Sequence, residues 1–495
     1  MNFQWKPKKY LITVLKVIGW TCFSILGFLI LVSLAIQIPY VQNKLTQKAI
    51  SFLEGKIGTD VNLERISLSI PKKIVLTGLY LEDQQKDTLL YAGELAINTD
   101  LWQLTNRTIQ LDDVELTDFN GFVSRPERDS AFNFTYILEA FSSDTTAAPV
   151  DTTQVPWKFS IGSIAFEKIQ IVFKDGLIGN EMELTLGLLT VDMEEFDLEK
   201  SIFKADEISI EDVTADLTQS KVTTDTTVHD STAADEDMII DIGVNKISLL
   251  NIQAQYNHRA TGQTAALSLG ELILGADNID LKNRSINLSN FHLFNTFASY
   301  HQRAGYQREA PKKQQSDSAA KTGPWHITLK SLDLKNNSIQ YYNFDKPSQK
   351  EIVDVNHLWI TKLDAKANDL DFAGVKIQGD LDNLSFRERS GFTIESMSTT
   401  LALTEKSLVL KNFNFRSPNS EINLDAQGNF TSLSTLSESY PEASVNMSVQ
   451  KSSVGMKDVY YFAPALFDSL PLNIPSATTI RLDTKIKGKD KDLNI

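Results

Sequence analysis

The chain has 495 residues, 63 of them acidic against 48 basic, for a net charge of −15. Its basic residues form no run beyond short Lys pairs, which excludes duplex and single-stranded nucleic acid as partners, because phosphate binding needs clustered Lys and Arg. Cys22 is the only cysteine, so neither an internal disulfide nor a thiolate metal site can be built.

Residues 1–9 form a short basic tail with Lys6, Lys8 and Lys9, and residues 10–38 form an apolar segment. Val17 to Ile38 runs for 22 residues without a charge. At 1.5 Å per residue that covers about 33 Å, enough for a bilayer core. A secretory signal peptide is the rival reading, with Ser33-Leu34-Ala35 as a cleavage tripeptide. Its apolar core is usually only about 7 to 15 residues, so the segment is expected to be an uncleaved transmembrane signal anchor with the C-terminal bulk exported. Residues 39–58 predict a short amphipathic helix, with Pro39 in its first turn and Val41, Leu45, Ala49, Phe52 and Leu53 at helical spacing. It is expected to lie on the membrane surface or to act as a plug that covers Phe52 and Leu53, the plug being preferred.

From residue 59 to 495 the texture is strand and turn, and one pattern returns. It reads apolar, any, apolar, any, then usually Gly, Asn or Asp, then apolar, any, apolar. Copies begin at Ile74, Val114, Ile164, Ile208, Ile247, Ile286, Leu332, Leu370 and Leu408. The fifth position holds Gly78, Asp118, Lys168, Asp212, Asn251, Asn290, Asn336, Gly374 and Asn412, so eight of the nine place there a residue that tolerates positive φ. Period 2 on either side means strand. The odd spacing across the fifth position would turn the second apolar pair to the opposite face of a regular strand, so a bulge or tight corner is expected to restore the face.

Alternating runs between the copies, Leu89 to Leu101, Leu184 to Leu198, Leu267 to Leu281 and Leu358 to Leu370, predict at least two strands per repeat. Nine repeats then give roughly 18 strands or more, about 4.8 Å apart. Residues 142–155, 218–237 and 307–323 are rich in Ser, Thr, Asp, Lys, Gln and Ala and are expected to be disordered loops at one edge of the array. Related strands follow them from Trp157, Ile240 and Trp325, which adds a double-length period. The last residues stop in mid-pattern, so the chain is expected to continue beyond residue 495.

No GxSxG, GxxxxGK[ST], HExxH or helix-opening GxGxxG occurs, and the six histidines have no ligand spacing. The sequence thus points to no enzyme, no metal and no cofactor. If all the apolar positions face one way, the expected fold is mostly β: one N-terminal transmembrane helix followed by a repetitive, elongated, curled β-sheet whose groove is greasy. In the first repeats the candidate groove lining is Ile74, Leu76, Leu79, Leu81, Val114, Leu116 and Phe119. It continues through Ile164, Phe166, Ile169, Ile171 and Phe173, then Ile208, Ile210, Val213, Ile247, Leu249 and Ile252. The later copies supply Ile286, Leu288, Phe291, Leu332, Leu334, Ile339, Leu370, Phe372, Leu408, Leu410, Phe413 and Phe415.

The basic tail, the apolar span and the stretch IPYVQNKLTQKAISFLEGKIGTDVNLERISLSIPKKIVLTGLYLED resemble the start of an AsmA-like protein, and within that superfamily the TamB branch typical of Bacteroidota. The resemblance implies a β-taco anchored by a single pass in the inner membrane of a Gram-negative bacterium, with its bulk in the periplasm, moving phospholipid towards the outer membrane. It also implies an Omp85-family outer-membrane partner in a translocation and assembly module, engaged through a C-terminal domain not found in this sequence. A lipid conduit, a scaffold offering a sheet edge to nascent outer-membrane proteins and a filled structural spacer are the competing expectations.

Overall fold

A computed structural model describes residues 20–21, 23–24, 38–69, 73–141, 158–198, 200–221, 241–281, 283–303, 323–436, 443–469 and 474–489. The protein is mostly β, with 21 strands in one mixed sheet and few helices. The expected membrane anchor lies almost wholly outside the described residues; no helix among those described is long and apolar enough to cross a membrane. The chain divides into two compact units, Met1–Val123 with Ala131–Lys168, and Ser124–Ser130 with Ile169–Ile495.

The first unit opens with helix α1 (Pro39–Ile57), which Pro39 starts within its first turn and Gly58 ends in the left-handed region at φ 76°. Strands β1 (Val61–Asn62) and β2 (Arg65–Ser69) both pair with β3 (Lys73–Glu82), which pairs antiparallel with β4 (Thr88–Thr99). Strand β5 (Thr108–Arg125) follows on β4, then helix α2 (Thr135–Phe141) and strand β6 (Lys158–Asp175). Thr46 ties α1 to β2, its buried hydroxyl accepting the Ile66 N–H at 3.1 Å. Ile57, Val61, Leu89 and Tyr136 make the packed core here, joined by Leu53, Leu79 and Leu81. The expected cover over Phe52 is absent: α1 turns Leu53 inward, and Phe52 stays 63% exposed. The Tyr136 hydroxyl donates to the Glu82 carbonyl at 2.7 Å, and burial holds its pKa above the usual phenol value.

In the second unit β7 (Asn180–Asp197) and β8 (Ile202–Gln219) are antiparallel, and β8 is parallel to β9 (Asp241–His258). Strand β10 (Gln263–Asp280) returns antiparallel and pairs with a broken strand made of β11 (Ser285–Phe294) and β12 (Phe297–Gln302). Both halves run parallel to β13 (His326–Asn343). From there the sheet is an antiparallel meander: β14 (His357–Ala373), β15 (Lys376–Glu388), β16 (Thr393–Ile394), β17 (Ser396–Leu403), β18 (Ser407–Arg416), β19 (Glu421–Asn429), β20 (Ser444–Gly455) and β21 (Thr479–Lys489). Helices α3 (Met456–Phe462) and α4 (Pro464–Ser469) interrupt the last pair. Their apolar stretch is the reason the strand pattern fades after residue 455.

The parallel joints correct the expectation of loops standing at one edge. Ile202 pairs with Asp241 and Gln219 with His258, so the chain leaves β8 at one end of the pair and re-enters β9 at the other. The segment also starts later than expected, because Thr218 and Gln219 close β8. Most of the three expected loops lies outside the described residues.

Strands β5, β6, β8, β9 and β13 each have 18 residues, and the eleventh residue of every one is left-handed: Asp118, Lys168, Asp212, Asn251 and Asn336, with φ between 53° and 55°. In the broken strand the equivalent is Asn295, φ 51°. Positive φ thus occurs at eight of the nine expected corners, the Lys168 corner included. The exception is Asn290, because the Ile286 copy straddles an earlier break, where β10 shifts register at Gly275/Ala276. Gly374 makes the β14–β15 hairpin and not a mid-strand corner.

Each corner leaves two successive residues outward and so returns the chain to its original face. Glu167 with Lys168, Leu250 with Asn251, and Lys335 with Asn336 are exposed in succession. The antiparallel partner must then come very close, and a Cβ on Gly187 would sit 2.7 Å from the Asp212 Cβ. One on Gly270 would lie 2.9 Å from the Asn295 Cβ. Gly187→Ala is therefore expected to lower the free energy of unfolding by about 1–3 kcal/mol, whereas Lys168→Gly raises it by about 1 kcal/mol by relieving a left-handed Lys. Urea denaturation followed by circular dichroism checks both signs.

Candidate functional site

The register shows which side chains share a face. In the first unit Ile74, Ile97 and Val114 stand abreast, as do Leu76, Leu95 and Leu116, and then Leu79, Ala92 and Phe119. In the second unit Ile210, Leu189, Leu249 and Leu272 form one row and Val213, Leu186, Ile252 and Leu269 the next. Further along the strands, Ala215, Leu184, Ala254, Leu267, Ala298, Ile339 and Ile360 stand abreast. Across β7 to β14 no charged residue stands in these rows among the described residues.

All thirty candidate lining residues fall on this one face of their units. Ile169 alone is buried, at 4% exposure, and Ile339 alone is exposed, at 44%; the rest are half-buried. Leu79 and Leu81 belong to the packed core under α1 and α2, and Phe415 packs against Phe392, Ile394 and Tyr461. Those three are closed-core residues and not part of an open lining. Elsewhere on this face no packed second layer is found among the described residues, the second unit's buried cluster lying in the neighbourhood of Phe392.

The opposite face is polar and paired along the parallel joints. Lys246 meets Glu207 at 2.7 Å, Lys330 meets Asp277 at 2.6 Å, Asn251 donates to Asp212 at 2.6 Å and Asn336 to Asn295 at 2.8 Å. Exposed pairs of this kind contribute about 0–1 kcal/mol each, enough to favour register but not to hold the sheet. Glu211 and Asp212 are part of such a corner. His326 and Lys376 both contact Asp371, and the Lys376 hydrogen bond, then His326, outweigh desolvation and keep its pKa low.

Sequence reading missed a polar row at the last inward position of each long strand. It runs Arg125, Asp175, Asn180, Gln219, His258, Gln263, Gln302 and Asn343. The signal was present in the residue types, an amide, imidazole or charge ending each otherwise apolar alternation. Arg125 and Asp175 form the row's ion pair: Arg125 Nε donates to Asp175 Oδ1 at 3.0 Å and Nη2 to Oδ2. The Asp175 side chain is 1% exposed and also accepts the Leu177 and Ile178 N–H groups.

Burial works against the Asp175 charge, but the Arg125 hydrogen bond and the backbone donors outweigh it and hold its pKa below the usual carboxylate value. A lowered folded-state pKa means that the stabilisation is present above about pH 4 and is lost as pH falls through the folded value. Arg125→Met is expected to cost about 3–5 kcal/mol at neutral pH and to flatten the acid limb of a stability-against-pH curve from denaturant titrations. No known protein family, curated protein or solved structure matches this chain.

Proposed function

We propose that the chain is a conduit for phospholipid, held at the inner membrane by residues 10–38 and conveying lipid through the periplasm towards the outer membrane. The observation that carries this reading is the uncharged, largely half-buried apolar face of β7 to β14, which no second layer covers among the described residues. A half-exposed Ile or Leu forgoes about 1 kcal/mol of burial, so some twenty of them reward an apolar ligand with a large total. Acyl chains meet that demand without needing any directional contact. The part of each strand beyond the corner, from the twelfth to the eighteenth residue, spans roughly 20 Å, comparable with one leaflet of a hydrocarbon core about 30 Å thick.

In this reading the protein is not an enzyme and needs no cofactor. Supporting the function are the 22 uncharged residues at Val17 to Ile38 and the resemblance of the first eighty residues to AsmA-like proteins of the TamB branch. An Omp85-family partner belongs to the same proposal. A filled spacer would bury these rows below a tenth exposure, and of the residues named in them only Leu269 is so buried.

The test is lipid extraction and mass spectrometry of the purified full chain, with transfer of a fluorescent phospholipid between vesicles. Wild-type protein is expected to carry lipid, and Ile252→Asp with Phe173→Glu to lower bound lipid and transfer about tenfold while strand content by circular dichroism is unchanged. A wild-type protein with no bound lipid and no transfer overturns the proposal.

A further inference from the structure

The polar row at the strand ends has a chemistry of its own. Within it Asn180, Gln219, His258, Gln263, Gln302 and Asn343 stand abreast on six neighbouring strands, on the same face as the apolar rows. Several are satisfied locally: Tyr256 donates its hydroxyl to Gln219 Oε1 at 2.9 Å, Thr261 Oγ1 lies 3.2 Å from Gln263 Oε1, and Gln302 Nε2 donates to Asp345 at 3.4 Å.

Two are not. Asn180 Oδ1 and His258 Nδ1 are shut away from solvent with no hydrogen-bond partner among the described residues, and His258 as a whole is only 8% exposed. A buried polar atom without a partner costs free energy that a ligand can return. The unmet oxygen is an acceptor, so what it lacks is an N–H or O–H donor. His258 Nδ1 serves as acceptor in one tautomer and donor in the other. The row's charges, Arg125 and Asp175, neutralise each other, so no cation on this row is left for an anionic headgroup. The net charge of −15 repels one further.

We propose that this row receives the headgroup of a bound lipid and favours one that is net-neutral and carries N–H donors: phosphoethanolamine over phosphocholine, which has no N–H, and over phosphoglycerol, which is anionic. The acyl chains lie on the apolar rows between the row and the corner, and the ammonium reaches Asn180 or, two strands away, His258. This inference rests on the lipid-conduit reading, and the experiment separates the two.

The purified full chain is incubated with vesicles containing equal amounts of palmitoyl-oleoyl phosphatidylethanolamine, phosphatidylcholine and phosphatidylglycerol, re-isolated, and its lipids quantified by mass spectrometry. Phosphatidylethanolamine is expected to be enriched about five- to tenfold over each of the others, the net worth of one ordinary hydrogen bond. Asn180→Leu with His258→Phe is expected to return the bound pool to the vesicle ratio without lowering total lipid. Bound lipid at the vesicle ratio in wild type, or enrichment of phosphatidylglycerol, overturns the headgroup assignment and leaves the conduit standing. Undiminished enrichment in the folded double variant removes these two residues from it. If the double variant does not fold, the wild-type ratio alone decides, and a wild-type protein with no bound lipid removes both inferences together.

Discussion

Side-chain alternation in a strand is the constraint on which this structure depends. A regular strand presents every second residue, so any change of direction that slips by one residue sends its apolar set to solvent. The long strands change direction without that penalty by placing two outward residues in succession, the second in the left-handed region. For a residue with a side chain that conformation costs about 1–2 kcal/mol. The cost is offset locally: the corners of parallel neighbours align, so Asn251 donates to Asp212 and Asn336 to Asn295, and a glycine on the intervening strand lets the backbones close.

From this follows the division of labour between the faces. The inward apolar rows of β7 to β14 are uncharged and the outward rows carry ion pairs, yet most of those inward residues are not sealed as a sandwich core would seal them. Among the described residues, packed cores form where helices lie over the sheet, at Ile57 and Tyr136 under α1 and α2, and at Phe392 beside Tyr461 of α3. Stability is therefore concentrated in backbone pairing and in those clusters, while the apolar rows forgo part of their burial.

Much of this was legible in the residues. Strand period and the Gly/Asn/Asp corners located nearly all the long strands, because parity violations are visible wherever apolar spacing jumps from two to three. Asn290 misled because its strand has two such jumps, at Asn290 and Asn295, and only the later one is left-handed; residue type alone does not separate them. Lys168 takes the left-handed conformation despite its type, since alignment with Asp118 and the demands of the face outweigh intrinsic preference. The parallel joints were hidden because pairing direction depends on where the chain re-enters, and nothing in a polar Ser/Thr stretch encodes that. Helix α1 was readable from Pro39 and Gly58, whereas the seven-residue helices at Thr135 and Met456 were too short to show a period. The polar strand ends were in plain view but looked like ordinary strand termini until the register set them side by side.

The parallel joints carry one more consequence, for how such a molecule can change in size. Strands β6, β9 and β13 start at residues 158, 241 and 326 and all run in the same direction, and β6 and β9 each open a block of three strands that ends on a parallel joint. Excising or duplicating a whole block joins ends that already match in direction, corner position and row, whereas removing one or two strands reverses the polarity of everything downstream. Growth and shrinkage by genetic duplication are thus quantised, in steps of roughly 14 Å of sheet width, so the array changes in extent only by whole blocks.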